Sequence, residues 1–228
     1  MRRRFFSFPI MTFRLPPATK ALLIANAVVF VLQQPWLLGD AIFRAFALWP
    51  LSTASTIAVW LPHFQLWQLV SYGFLHANLS HLLYNALSLW MFGCALELTW
   101  GQRRFLIYYF SCVFGAGVCQ FIATHISGDS SPVIGASGGI FGVMLGYALL
   151  FPRQPFYLIF PPIRMQARTF VILCAVTELV LGVANNQSGI AHFAHLGGAL
   201  TGWGVIRFWR GQSPFGRKGP GGKSSMRF

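Results

Sequence analysis

The sequence predicts an all-α polytopic membrane protein, a bundle of six transmembrane helices. Three observations carry that reading. The chain has 228 residues, 55% apolar and only 9% charged, whereas a soluble domain carries about 25% charge. Apolar runs recur at close to the length that a bilayer core of about 30 Å asks of a helix. The 17 basic residues, set against four acids for a net charge of +13, fall on alternate sides of those runs. That asymmetry is what orients a membrane protein.

Residues 1–19 form a basic arm with Arg2, Arg3, Arg4 and Arg14. It begins like a signal peptide, but its apolar run is short and Pro9, Pro16 and Pro17 interrupt it. A longer signal would be cut after Ala45-Phe46-Ala47; an uncleaved first span, Lys20–Leu38, fits better. The connection 39–80 is the one long loop. Its stretch LPHFQLWQLVSYGFLHANLSHLLYN runs on into the next span and is rich in Trp, Phe and Leu. That predicts an interfacial element in the outer leaflet, with Trp60 and Trp67 at headgroup level.

The second and third spans, His81–Leu98 and Phe105–His125, flank Arg103 and Arg104. The fourth, Ser137–Phe151, is about 15 residues or 23 Å long, which is short for a bilayer. Arg153, Arg164 and Arg168 precede the fifth span, Ala167–Ala184. The sixth, His192–Phe208, closes a domain spanning 20–210 and leads into a Gly-, Ser- and Lys-rich tail, 211–228, that is predicted to be disordered. All basic residues except Arg44 lie on one side of this layout, which predicts both termini in the cytoplasm; the compact form with no large extra domain suggests a bacterial inner membrane. The positive charge therefore reflects topology and attraction to the leaflet rather than nucleic-acid binding. Cys94, Cys112, Cys119 and Cys174 fall inside apolar spans and read as small buried hydrophobes.

Polar groups within membrane spans are costly and usually face an interior cavity. Here His81 and Asn85 open span two, Ser137 opens span four, and His192 and His195 open span six, all from the outer face. Counted from Arg153, Ser137 stands about 24 Å up its helix; counted from Arg207, His195 stands about 18 Å up. Both would sit roughly 6–12 Å below the outer surface, which accounts for the short fourth span. A serine and a histidine at matched depth suggest a nucleophile and its base. His81 and Asn85 share a helix face, and together with backbone N–H groups at the start of span four they could donate to a developing oxyanion.

No acid stands out as a third member. Asp40 and Asp129 fall in outer loops, Glu97 lies near the inner end of span two, and Glu178 lies mid-span. The pattern favours a dyad, with Asp129 the remaining candidate. Glu178 reads as a neutral acid bonded to a neighbouring helix, with a proton relay as the alternative. No metal is expected, because no carboxylate or cysteine is matched to His81 or His195, and no cofactor is implied. The glycine rows Gly138-x-x-x-Gly142 and Gly198-x-x-x-Gly202 let two membrane helices approach closely, as a bond between Ser137 and His195 requires.

Four motifs in this order resemble the rhomboid family of intramembrane serine proteases. They are Gly135-Ala136-Ser137-Gly138, the His195 segment AHLGGALTG, the set His76, His81 and Asn85, and the set Gly93, Glu97 and Gly101. The resemblance covers about Lys20 to Arg210. It implies a six-helix fold and cleavage of the transmembrane segments of other membrane proteins through an acyl-enzyme. In it Ser137 is the nucleophile and His195, rather than His192, the base, with His81, Asn85 and the Ser137 N–H as the oxyanion site. It further implies that His76 stabilises the outer loop and Phe141 packs under the His195 ring. Glu97 organises the inner end of span two, and span five with the loop after it forms a lateral gate. One departure is Trp67-Gln68, where the family often has Trp-Arg. The alternatives are a non-catalytic protein of the same fold that binds membrane clients, and a small transporter using Glu178.

Overall fold

The computed structural model describes residues 15–51, 62–128, 131–157, 163–184 and 192–212. The arm up to Arg14, Trp60, Asp129, residues 185–191 and those from 213 lie outside the described residues, as do the expectations placed on them.

The helices follow in order. The first is α1 (Pro17–Leu32), with proline at its first position, where no N–H is needed. It ends six residues before the expected boundary, because Gln33 caps it and the chain turns. The long connection is not one irregular loop. It holds α2 (Gly39–Phe46), crossed by an Asp40–Arg44 ion pair at 3.5 Å, and α3 (Gln68–Ser71), which runs into a 3₁₀ turn, Tyr72–Phe74. Next, α4 (Leu79–Ser88), a π turn (Leu89–Gly93) and α5 (Cys94–Trp100) form one continuous rod. Gly101, at φ 79°, breaks that rod from α6 (Gln102–Ser127), and Gly128, at φ 70°, ends α6. The last three are α7 (Ser137–Leu150), α8 (Ala167–Ala184) and α9 (His192–Trp209). The chain is mostly helical, as expected of an all-α membrane protein; a short antiparallel pair, β1 (Pro155–Tyr157) with β2 (Arg164–Gln166), lies between α7 and α8.

The outer surface is more apolar than that of a soluble bundle, while the interior holds an apolar core together with polar groups. Large apolar side chains face outward, such as Ile24, Val28 and Val31 on α1, Ile107, Phe114 and Ile122 on α6, and Ile172, Val176 and Val180 on α8. Buried polar groups turn inward: Thr19, Asn26, Gln68, His76, Asn85, Glu97, Gln120, His192 and His195. Apolar faces this broad need an apolar solvent, while each inward polar group needs a partner. Two rods, Leu79–Trp100 and Gln102–Ser127, are long and apolar enough to cross a membrane, whereas Pro17–Leu32 and Ser137–Leu150 are shorter.

The centre is the packing of α6, α7 and α9, with α8 against α9 and α7. Small residues set how closely they lie. A Cβ on Gly198 would land on the Gly138 carbonyl, and one on Gly142 would come within 2.8 Å of the Gly198 carbonyl. The Tyr108 hydroxyl, buried on α6, donates to the Gly142 carbonyl at 2.7 Å and fills the space beside Gly202. The cysteines are free, and Cys112 is buried at this seam.

Candidate active site

Ser137 is the first residue of α7, so its backbone N–H has no acceptor within the helix. Gly135, two residues earlier, holds φ 130° while its N–H bonds the Tyr72 carbonyl at 2.9 Å. A Cβ there would be strained by the backbone and would come within 2.8 Å of the His81 ring. The glycine thus lets the imidazole of α4 lie against the turn that presents the serine.

His195 reaches the same point from the first turn of α9. Its Nε2 lies 2.7 Å from Ser137 Oγ. Phe141, one turn after Ser137, stacks on the imidazole with centroids 4.4 Å apart and planes 4° apart. The close seam of Gly138 and Gly198 brings the two helices near enough for this bond. The Gln120 side chain of α6 accepts from Ala194 N–H at 3.1 Å and ties down the first turn of α9.

The serine and histidine expected together are therefore in contact. His81 and Asn85 lie on the neighbouring face of α4. Asn78 caps α4, accepting from His81 N–H at 2.8 Å. His81 Nδ1 accepts from Ala77 N–H at 3.4 Å, which leaves the proton on Nε2, the nitrogen beside Gly135. Asn85 is buried, and its Nδ2 has no hydrogen-bond partner among the described residues.

Three further expected residues sit away from the serine. His76 is fully buried. Its N–H donates to the Gln33 side chain at 3.0 Å, its carbonyl accepts from the same amide, and its Nδ1 is 3.2 Å from the Phe74 carbonyl. It joins the outer loop to the end of α1. Burial, helped by the neighbouring His81 charge, pushes its pKa down to about 4. Glu97 lies at the other end of its rod, where its carboxylate accepts from Ala18 N–H at 2.8 Å, Thr19 N–H at 2.7 Å and the Thr19 hydroxyl at 2.8 Å. It satisfies the orphan donors of α1. Gln68, where a Trp-Arg pair was the family pattern, is fully buried; its oxygen accepts from Trp49 N–H at 3.3 Å and Gln65 N–H at 3.1 Å.

One expectation is corrected. An acid does stand at His195: Oε2 of Glu178, from α8, lies 2.9 Å from His195 Nδ1 and 2.5 Å from His192 Nδ1. The bond to His192 is well aligned, whereas the approach to His195 is close without the alignment of a hydrogen bond. The carboxylate missing from the sequence reading is thus supplied by the fifth apolar segment. A signal was available, because Glu178 lies about 15 Å along its helix from Arg168, close to the 18 Å found for His195. Glu178, His192 and His195 also form a donor set of the kind a divalent cation takes. The carboxylate oxygen, however, is at hydrogen-bond separation from both imidazoles, 2.5 and 2.9 Å, so the cluster fits a proton network better than a metal.

Comparison with known proteins supplies the family. The family model described as Rhomboid domain matches residues 63–210. The chain is 33% identical to the rhomboid protease GluP of Bacillus subtilis over 139 residues, 60% of this chain and 25% of that protein. It is 29% identical to YdcA of the same bacterium over 82% of this chain and 87% of that protein. It is also 29% identical to the rhomboid protease GlpG of Klebsiella pneumoniae over 88% of this chain and 66% of that protein. The chain thus spans a quarter of GluP and about two thirds of GlpG. With the family model matching well over half its length, this mostly helical membrane protein belongs to the rhomboid family.

Proposed function

We propose that the chain is an intramembrane serine endopeptidase that cleaves transmembrane segments of other membrane proteins. The observation that carries the reading is the 2.7 Å contact between Ser137 Oγ and His195 Nε2, with the ring held on Phe141. His195 takes the serine proton as Oγ attacks the peptide carbonyl. An acyl-enzyme forms, the amine leaves, and water releases the acid. The Ser137 N–H, His81 Nε2–H and the unpartnered Asn85 amide are the donors for the oxyanion. The rods Leu79–Trp100 and Gln102–Ser127, with α1, α7, α8 and α9, make six membrane helices. Both termini face the cytoplasm, and the host membrane is a bacterial inner membrane. The polar cluster then lies below the outer surface, where a substrate helix must unwind to meet it.

Reaction of the purified chain in detergent with a fluorophosphonate serine probe tests this. Wild type is expected to label, and Ser137→Ala and His195→Ala to lose labelling. Labelling that survives in His195→Ala but not in His192→Ala would reassign the base. A folded wild type that neither labels nor cleaves a generic transmembrane substrate would point instead to a non-catalytic client binder.

A further inference from the structure

We propose that Glu178 is a positioning residue for His195, held in place by His192, so that the site works as a hydroxyl–imidazole–carboxylate chain rather than a dyad. The inference rests on the proteolytic reading above. Three observations point to it. The two nitrogens of His195 face opposite partners, Nε2 toward Ser137 Oγ at 2.7 Å and Nδ1 toward Glu178 Oε2 at 2.9 Å. A carboxylate beside Nδ1 keeps the proton there, which leaves Nε2 free to accept from the serine. His195 is buried, and among the described residues its Nδ1 has no aligned hydrogen-bond acceptor, so this carboxylate is the one group placed to serve it. His192, one turn earlier and 2.5 Å from the same oxygen, fixes the carboxylate that would otherwise swing with its side chain.

The chemistry follows from charge. When the Ser137 Oγ–H proton moves to Nε2, Oγ bonds the acyl carbon and the carbonyl electron pair moves to oxygen, leaving His195 an imidazolium. In a poorly hydrated site that cation needs a counter-ion. Glu178 stays ionised and supplies it. The Nε2 proton then passes to the leaving amine nitrogen as the C–N bond breaks. The other titratable groups around His195 are His192 on its own helix and His81 on α4; Cys119 of α6 lies against Gly197, the Tyr72 phenol against Gly138, and α7 contributes the Ser137 hydroxyl. Among the described residues, Glu178 is the one acid at contact distance.

The test is the rate of fluorophosphonate labelling of the full chain in detergent from pH 5 to 9. Wild type, Glu178→Gln, Glu178→Asp and His192→Gln are compared, with Ser137→Ala as the blank. Glu178→Gln is expected to lower the plateau rate about 100-fold and to move the acid limb to lower pH, since an imidazole without its anion is less basic. Glu178→Asp keeps the acid limb and recovers part of the rate, and His192→Gln gives a smaller loss. A purely structural glutamate would lower the amount of folded protein without moving the acid limb. Wild-type labelling alongside a Glu178→Gln variant of equal rate and equal limb overturns this inference alone. If Glu178→Gln does not fold, Glu178→Asp decides, because it withdraws the carboxylate by one methylene; a full wild-type rate there overturns the proposal. If wild type itself fails to label, the proteolytic reading fails first and this inference falls with it.

Discussion

His81 and Asn85 stand beside the Ser137 turn with donors that nothing in the described structure fully uses. If they serve an oxyanion, Asn85→Ala should lower the labelling rate by about 100-fold while leaving thermal stability nearly unchanged. The Asn85 Nδ2 has no partner to lose among the described residues. A large drop in melting temperature with a normal rate in the folded fraction would mark it as structural instead. His76 behaves differently, because its pKa is lowered by burial and by the His81 charge to about 4. A histidine with a depressed folded pKa is neutral in both states above about pH 6.5. As pH falls from there toward 4, the unfolded chain gains a proton that the folded chain refuses, so folding stability is lost over that window. Melting in detergent between pH 7 and 4.5 should show this loss, and His76→Gln should flatten it. An unchanged pH slope in the variant would assign the sensitivity to another group.

At the scale of the elements, two contacts decide whether the site assembles. The first is the seam between α7 and α9, where Gly198 faces the Gly138 carbonyl with no room for a side chain. Gly198→Val should force the helices apart, cost roughly 1–3 kcal/mol, and abolish labelling even where the protein remains folded, because the 2.7 Å contact cannot survive a separation of an ångström. Thermal unfolding and probe labelling on the same sample check both parts. The second is the tie between α1 and the rod ending in α5. Glu97 accepts three hydrogen bonds from Ala18 and Thr19, so Glu97→Ala leaves buried donors unsatisfied and should destabilise by roughly 3 kcal/mol. Labelling at low temperature should persist, since Glu97 lies at the far end of the rod from Ser137. Loss of labelling in a fully folded variant would contradict that separation.

At the scale of the whole molecule, the outward apolar faces of α1, α6 and α8 and the inward polar groups describe a protein made for lipid. The proposed six-helix arrangement with cytoplasmic termini predicts that a reporter active only in the cytoplasm works when fused to either end, and fails when inserted in the loop between α1 and α4. The opposite pattern would invert the orientation drawn from the arginines.

How much of this was legible in the sequence differs from element to element. The helices could be placed because apolar runs of bilayer length and the side-to-side alternation of arginine are properties of local composition. Ser137 and His195 could be paired because helical rise converts residue counts into depth, and glycine rows mark where two helices touch; Phe141 under the imidazole came from the family resemblance. Composition could not reveal α2, the hairpin β1–β2, or the early end of α1, where Gln33 leaves the helix to bind His76. Nor could it choose among the acids. Which face a helix turns toward its neighbours depends on rotation about its axis, and that is set by packing across the whole bundle rather than by any local stretch. Residue types, order and depth were therefore determined by the sequence alone, whereas the meeting of Glu178 with His192 and His195 was decided only when α8 came to rest against α9.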